Sequence, residues 1–154
     1  MPSIEEICAE RGMRMTEQRR TIARVVEAAD DHPDTEELHR RAAAIDPGIA
    51  ISTVYRTLAL FEDAGIVARH AFLTPDHMGG RAPGEPRARY ETVPDDHHDH
   101  LIDLKSGAVI EFRDEENEAL QELVAERLGY RLVDHRLELY AVPLDTSSSD
   151  TDDA

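Results

Sequence analysis

Asp95, Asp96, His97, His98, Asp99 and His100 stand in a row and run into the apolar residues Leu101, Ile102 and Leu104. Imidazole nitrogen and carboxylate oxygen are ligands for divalent metals, and histidine is the commonest of them. A strand through this segment sends alternate side chains to opposite faces. His98 and His100 then share one face while His97 and Asp99 share the other, so one strand can serve two metal sites back to back. A solvated polar loop is the alternative reading, and the apolar continuation favours the strand. A two-residue turn at Ser106-Gly107 would set Glu111 opposite Ile102, on the His98/His100 face. Glu91, in the preceding strand, is a further carboxylate for that face. The opposite pair can draw on Glu118, on a helix, and on His135, which reads equally well as a hydrogen-bonded core histidine. Such mixed donors suit Fe(II), Mn(II), Zn(II) or Co(II) without choosing among them.

A second chemical segment is Ser52-Thr53-Val54-Tyr55-Arg56-Thr57. At the start of a helix lying in the major groove, its hydroxyls and guanidinium reach phosphates or base edges, and Tyr55 can meet a thymine methyl. A capped surface helix is the plainer alternative. Charge bears on the choice. The chain carries 17 basic and 33 acidic residues, a net of −16, which is a poor overall balance for a nucleic-acid binder. Residues 1–72 hold 9 basic against 13 acidic side chains, the remainder 8 against 20. Arg11, Arg14, Arg19, Arg20 and Arg24 cluster locally, so a DNA-binding surface can be confined there with the acidic mass facing away.

The elements that must position these groups follow from periodicity. A helix is expected from Ile4 to about Arg11. A second runs to Ala28 from an N-cap at Thr16, and a third follows Asp34 with Leu38, Ala42 and Ile45 inward. Ser52 is the expected cap of a fourth, with Val54, Leu58 and Phe61 inward and Gly65 as its stop. Ile66–Phe72 and Arg89–Val93 read as a hairpin around the Gly- and Pro-rich loop 73–87, which together with the helices makes a winged helix-turn-helix. Further on, His97–Lys105 and Ala108–Arg113 read as strands. Asp114–Leu128 reads as a helix with Ala119, Leu120, Leu123, Val124 and Leu128 inward, and Tyr130–Val142 as a long alternating strand. One small sheet and one helix bury little alone, so pairing with a second copy is expected. The fold class is α+β: a winged-helix domain over 1–92, a small α/β dimerisation and metal-binding domain over 93–143, and a disordered acidic tail over 144–154.

At 154 residues and 40% hydrophobic content the chain can build real cores. It has no apolar run near the roughly 20 residues that cross a membrane and no signal-peptide pattern, so a cytoplasmic protein with no membrane partner is expected. Cys8 is the lone cysteine, which excludes a disulfide framework and a thiolate zinc site.

Five segments now fall into a known order. Thr16-Glu17-Gln18-Arg19-Arg20, Ser52 to Thr57, Phe61-Glu62-Asp63-Ala64-Gly65-Ile66, His97 to Asp103, and Val109-Ile110-Glu111-Phe112 together resemble the ferric uptake regulator family, over about residues 4–142. The ending His135-Arg136-Leu137-Glu138-Leu139-Tyr140 is most similar to the alphaproteobacterial branch, which holds iron- and manganese-responsive members. The resemblance implies a metal-dependent repressor, not an enzyme, that binds double-stranded operator DNA as a homodimer when loaded with Fe(II) or Mn(II), with Zn(II) able to substitute in vitro. It implies a sensory site at the hinge of His32, Glu91, His98 and/or His100, and Glu111, and a second site of His97, Asp99, Glu118 and His135. Arg14, Tyr55 and Arg56 match DNA-contacting positions, and Arg19, Ser52 and Thr53 are candidates beside them. Where many relatives carry paired Cys-x-x-Cys zinc ligands, this chain has Asp103 and Ser106. Its 73–87 loop is also longer than is usual in the family. Two rival readings are a metal-dependent hydrolase built on the histidine cluster and a DNA-binding protein whose metal is purely structural.

Overall fold

The computed structural model describes residues 1–73, 86–93 and 97–144. Local capping chemistry sets most helix starts. Ser3 opens α1 (Ile4–Glu10) with a reciprocal capping box: its hydroxyl accepts from Glu6 N at 3.1 Å while the Glu6 carboxylate accepts from Ser3 N at 2.7 Å. Thr16 caps α2 (Glu17–Ala28), and Asp34 caps α3 (Thr35–Ile45), accepting from Glu37 N at 2.8 Å.

The fourth helix, α4 (Ile51–Asp63), starts one residue before the expected cap. Its N-cap is Ala50, which offers no side chain, and Ser52 lies within the first turn. The preceding turn delivers the chain early: Asp46 Oδ1 accepts from Gly48 N at 2.9 Å, and Ile49 N reaches back to Asp46 O. At its other end Gly65 takes φ +69, and Ile66 N bonds Phe61 O while Gly65 N bonds Glu62 O, a Schellman closure.

The core of this unit collects Ile22, Val25 and Val26 of α2, Leu38 and Ala42 of α3, and Val54, Leu58 and Phe61 of α4 around Ile4 and Cys8. Ile45, expected inward, is instead 66% exposed at the end of α3, where the chain turns away. Strands β1 (Val67–Leu73) and β2 (Pro86–Thr92) pair antiparallel, with Ala68 opposite Glu91 and His70 opposite Arg89. Val67, Tyr90 and Ala88 turn one face of this ribbon to the helical core. His70, Phe72, Arg89 and Glu91 occupy the other. Most of the expected 73–87 loop lies outside the described residues.

Residues 97–144 form a separate compact unit. Its sheet has the order β4-β3-β5, built from β3 (Asp99–Asp103), β4 (Val109–Phe112) and β5 (Glu138–Ala141), with α5 (Glu115–Arg127) between β4 and β5. Three expectations need correction. The β3–β4 turn is longer than two residues: Asp103 N bonds Ala108 O at 2.9 Å and Gly107 N bonds Asp103 O at 2.7 Å. Glu111 therefore pairs with His100, and Ile102 with Val109. The shift is by two residues, so parity is preserved and Glu111 stays on the His100 face. Second, of the stretch 130–142 only Glu138–Ala141 is strand. It pairs parallel with His100–Asp103 of β3, which is itself only five residues long. Third, α5 buries none of its residues, and Leu120, Leu123 and Val124 are 57%, 41% and 45% exposed. So small a sheet cannot cover a helix's apolar stripe. Among the described residues, no helix is long and apolar enough to cross a membrane.

Candidate metal centre

His32 is held in an unusual backbone state. It is 3% exposed and adopts φ +50, a left-handed conformation rare outside glycine and retained only when the surroundings enforce it. Arg89 of β2 supplies that enforcement, donating Nε to His32 O at 2.5 Å and Nη2 to Asp31 O at 2.8 Å. Tyr90 N bonds Pro33 O at 3.0 Å, and Arg41 of α3 grips the Asp31 carboxylate. The hydrogen bond from Arg41 holds the Asp31 carboxyl below its ordinary range, and burial draws the Arg89 guanidinium below its own. Fixed in this way, His32 sets Nε2 2.5 Å from Glu91 Oε2. His70 Nε2 meets the other oxygen, Oε1, at 2.7 Å. The sequence reading missed His70. The signal was there: i, i+2 alternation from Phe72 puts His70 on the ribbon face that carries Glu91.

In the second unit, the ligating atoms of His98, His100 and Glu111 lie within 4.8 Å of one another. His98 Nε2 is 3.6 Å from Glu111 Oε1, and the His98 and His100 rings stand edge to face with centroids 4.8 Å apart. His100 is buried at 5% exposure, and its partner across the strand pair is Glu111.

The opposite side of β3 carries another group. His97 Nε2 and His135 Nε2 are 3.0 Å apart, and both approach Asp99 Oδ1, at 3.3 and 3.2 Å. Asp99 is 1% exposed, and its Oδ2 has no hydrogen-bond partner. A buried, half-satisfied carboxylate between two imidazoles is costly unless a cation shares the site, so the donor set fits a divalent metal. Glu118, expected here, is not brought in: its carboxylate lies 3.5 Å from Arg113 Nε.

The expected DNA-facing residues sort differently. Ser52, Tyr55 and Arg56 are exposed on α4 while Val54 and Thr57 are buried behind them. Arg56 donates Nε to Ser52 O at 3.2 Å, and Thr53 is half-buried. Arg14 is exposed. Arg19 donates Nη1 to Arg14 O at 2.6 Å, so its guanidinium braces the backbone of Arg14. At the Asp103 and Ser106 positions, Asp103 accepts from Ser106 Oγ at 2.7 Å and from Lys105 N at 2.8 Å, and these hydrogen bonds close the turn.

Comparisons with known proteins bear on this geometry. A model described as the ferric uptake regulator family matches residues 10–140. A ferric uptake regulation protein of Rhizobium leguminosarum bv. viciae is 63% identical over 142 residues, covering 92% of each chain, and one of Brucella abortus is 43% identical over 143 residues, covering 93% of this chain and 94% of that protein. Among solved structures, a zinc-bound manganese uptake regulator is 63% identical with a TM-score of 0.77, spanning 93% of this chain and 100% of that one. The Vibrio cholerae ferric uptake regulator is 34% identical with a TM-score of 0.73, spanning 90% and 98%.

Proposed function

Because the chain belongs to the ferric uptake regulator family and is thereby a metal-responsive transcriptional regulator, we propose that it represses metal-homeostasis genes, binding operator DNA as a homodimer when loaded with Fe(II) or Mn(II). In this reading residues 1–92 bind DNA and residues 93–143 dimerise and hold metal; nearly all of the expected acidic tail over 144–154 lies outside the described residues. The protein acts in the cytoplasm. Relatives at 63% identity carry both an iron name and a manganese name, and an all-nitrogen-and-oxygen donor set accommodates either ion.

The observation that carries the proposal is the clamped His32 beside Glu91. Strained backbone that holds a buried imidazole against a carboxylate is characteristic of a functional position. His98, His100 and Glu111 on the second unit are the complementary donors, so His32, Glu91, Glu111 and one or both histidines would hold one ion. When bound, that ion supplies a crosslink and two positive charges among carboxylates. His32 and Glu91 then fix the winged helix against the dimerisation domain, and the two recognition helices of a dimer keep one separation. Operator half-sites lie about 34–36 Å apart or a multiple of that, so a fixed separation raises the fraction of molecules competent to bind. Ser52, Tyr55 and Arg56 present donors at the groove, with Arg14 on phosphate. His97, Asp99 and His135 would hold a second ion that braces the sheet.

The test is to titrate an operator fragment with protein in Mn(II), in anaerobic Fe(II), in Zn(II) and in chelator. Tight binding only with metal is expected, and equal affinity in chelator would overturn the mechanism. Chelation that unfolds the dimerisation domain before DNA is released would instead favour a purely structural metal. The hydrolase reading is not favoured, since relatives matched over nine-tenths of their length carry regulator names.

A further inference from the structure

Both oxygens of the Glu91 carboxylate meet an imidazole, His32 at Oε2 and His70 at Oε1, 2.5 and 2.7 Å away. A glutamate on a strand rotates readily about its last torsion and can offer either oxygen. This one is restrained, because the atom on its far side is already a hydrogen-bond acceptor. The restraint is itself anchored. The His70 ring stacks on Phe72 with centroids 5.3 Å apart and planes within 9°, and Phe72 is 1% exposed. The β1–β2 register puts His70 opposite Arg89 and Glu91 opposite Ala68, so His70 reaches Glu91 on the diagonal, a distance long side chains span. The same two strands thus hold both halves of the pair from behind: Arg89 fixes the backbone of His32, and His70 fixes the carboxylate of Glu91.

We propose that His70 is a positioning residue for metal capture, donating from Nε2 to Glu91 Oε1 so that Oε2 is presented beside His32. The proposal rests on the reading that His32 and Glu91 ligate metal. Groups that orient a ligating side chain typically matter at about 10- to 100-fold in metal affinity.

The experiment uses the full chain in an Asp99→Asn background, so that the group on the other face of β3 does not contribute. Mn(II) affinity is measured by the loss of the free-ion electron paramagnetic resonance signal, and coordination by the visible spectrum of Co(II). His70→Phe keeps the stack on Phe72 and loses the donor, whereas His70→Gln keeps an N–H donor and loses the stack. The expected result is an affinity about tenfold weaker, with an altered Co(II) band, for His70→Phe, and near-parental values for His70→Gln. Equal weakening in both variants would assign the effect to ring packing and overturn the proposal. So would parental affinity in His70→Phe if His32→Ala in the same background abolishes binding, an outcome that leaves the ligand reading standing. Parental affinity in His32→Ala would remove that reading and this proposal with it. If His70→Phe fails to fold, His70→Leu takes its place against His70→Gln under the same criteria.

Discussion

Arg89 donates from Nε to the carbonyl oxygen of His32, 2.5 Å away and 57 residues earlier in the chain. A histidine with positive φ, left to itself, relaxes toward the ordinary helical or extended regions and carries its imidazole elsewhere. Replacing Arg89 by Met keeps much of the aliphatic packing and removes both donors to the 31–32 backbone. The expected outcome is a loss of about tenfold or more in Mn(II) affinity, as for other groups that orient ligands. Stability should fall by roughly 1.5–3 kcal/mol, the usual range for hydrogen bonds from a charged group. Metal titration and urea denaturation of the same preparation separate the two.

Asp99 makes the opposite kind of prediction. Its buried Oδ2 lacks a hydrogen-bond partner, so the metal-free protein bears the cost of a poorly solvated carboxylate. Asp99→Asn should leave the metal-free melting temperature unchanged or raised, and should remove the part of the rise on adding metal that this site contributes. At a hundredfold excess over Kd a single site contributes about 2.7 kcal/mol. Calorimetry with and without Mn(II) or Zn(II) reads the difference.

Acid sensitivity should trace in part to Glu37. Hydrogen bonds from Arg40 and then Arg41, outweighing partial desolvation, hold its carboxyl at about 2 against an ordinary 4.5. The folded value is the lower one, so the contribution is complete above the unfolded pKa and is lost as pH falls toward the folded one. Glu37→Gln should therefore be less stable than the parent above about pH 5, with a gap that narrows steadily between pH 4.5 and 3. A gap constant across that interval would show that the pairing does not set the carboxyl's pKa. Glu37 is one-third exposed, so the effect will be modest and weaker in salt.

On the DNA side, Tyr55 stands 49% exposed on α4 over a buried Val54. Tyr55→Ala should weaken specific operator binding by about 1–3 kcal/mol with metal affinity unchanged. Arg14→Ala should weaken all sequences alike and lower the salt dependence by about one phosphate contact. Fluorescence anisotropy at several salt concentrations distinguishes them.

The exposed stripe Leu120, Leu123 and Val124 of α5 predicts a dimer interface. Val124→Glu puts a charge into that apolar surface and should shift the protein toward monomer in sedimentation equilibrium. Operator affinity should fall with it, because two half-sites would no longer be engaged together.

What could be read from the chain divides along physical lines. The caps Thr16 and Asp34 were legible because they bond backbone within three residues of themselves. The division of His98 and His100 from His97 and Asp99 was legible from alternation. Only Asp99 and His100 lie within β3, but the two residues before it keep the same alternate sides, and parity survived the turn that moved Glu111 from Ile102 to His100. His70 was not. Its partner lies 21 residues away on another strand, across a loop whose length conceals the register. Glu118 is a related case: sequence puts it on α5, but side-chain geometry sets its carboxylate 3.5 Å from Arg113 Nε and not among the grouped ligand atoms of His97, Asp99 and His135.

The turn joining β3 to β4 has one more consequence. It is closed by the Asp103 carboxylate and the Ser106 hydroxyl, and neither group loses electrons to the peroxides and disulfides that attack thiolates. The single sulfhydryl, Cys8, is fully enclosed by the helical core, and burial raises its pKa, which keeps it protonated and unreactive. A regulator built this way offers thiol oxidants no accessible thiolate to attack.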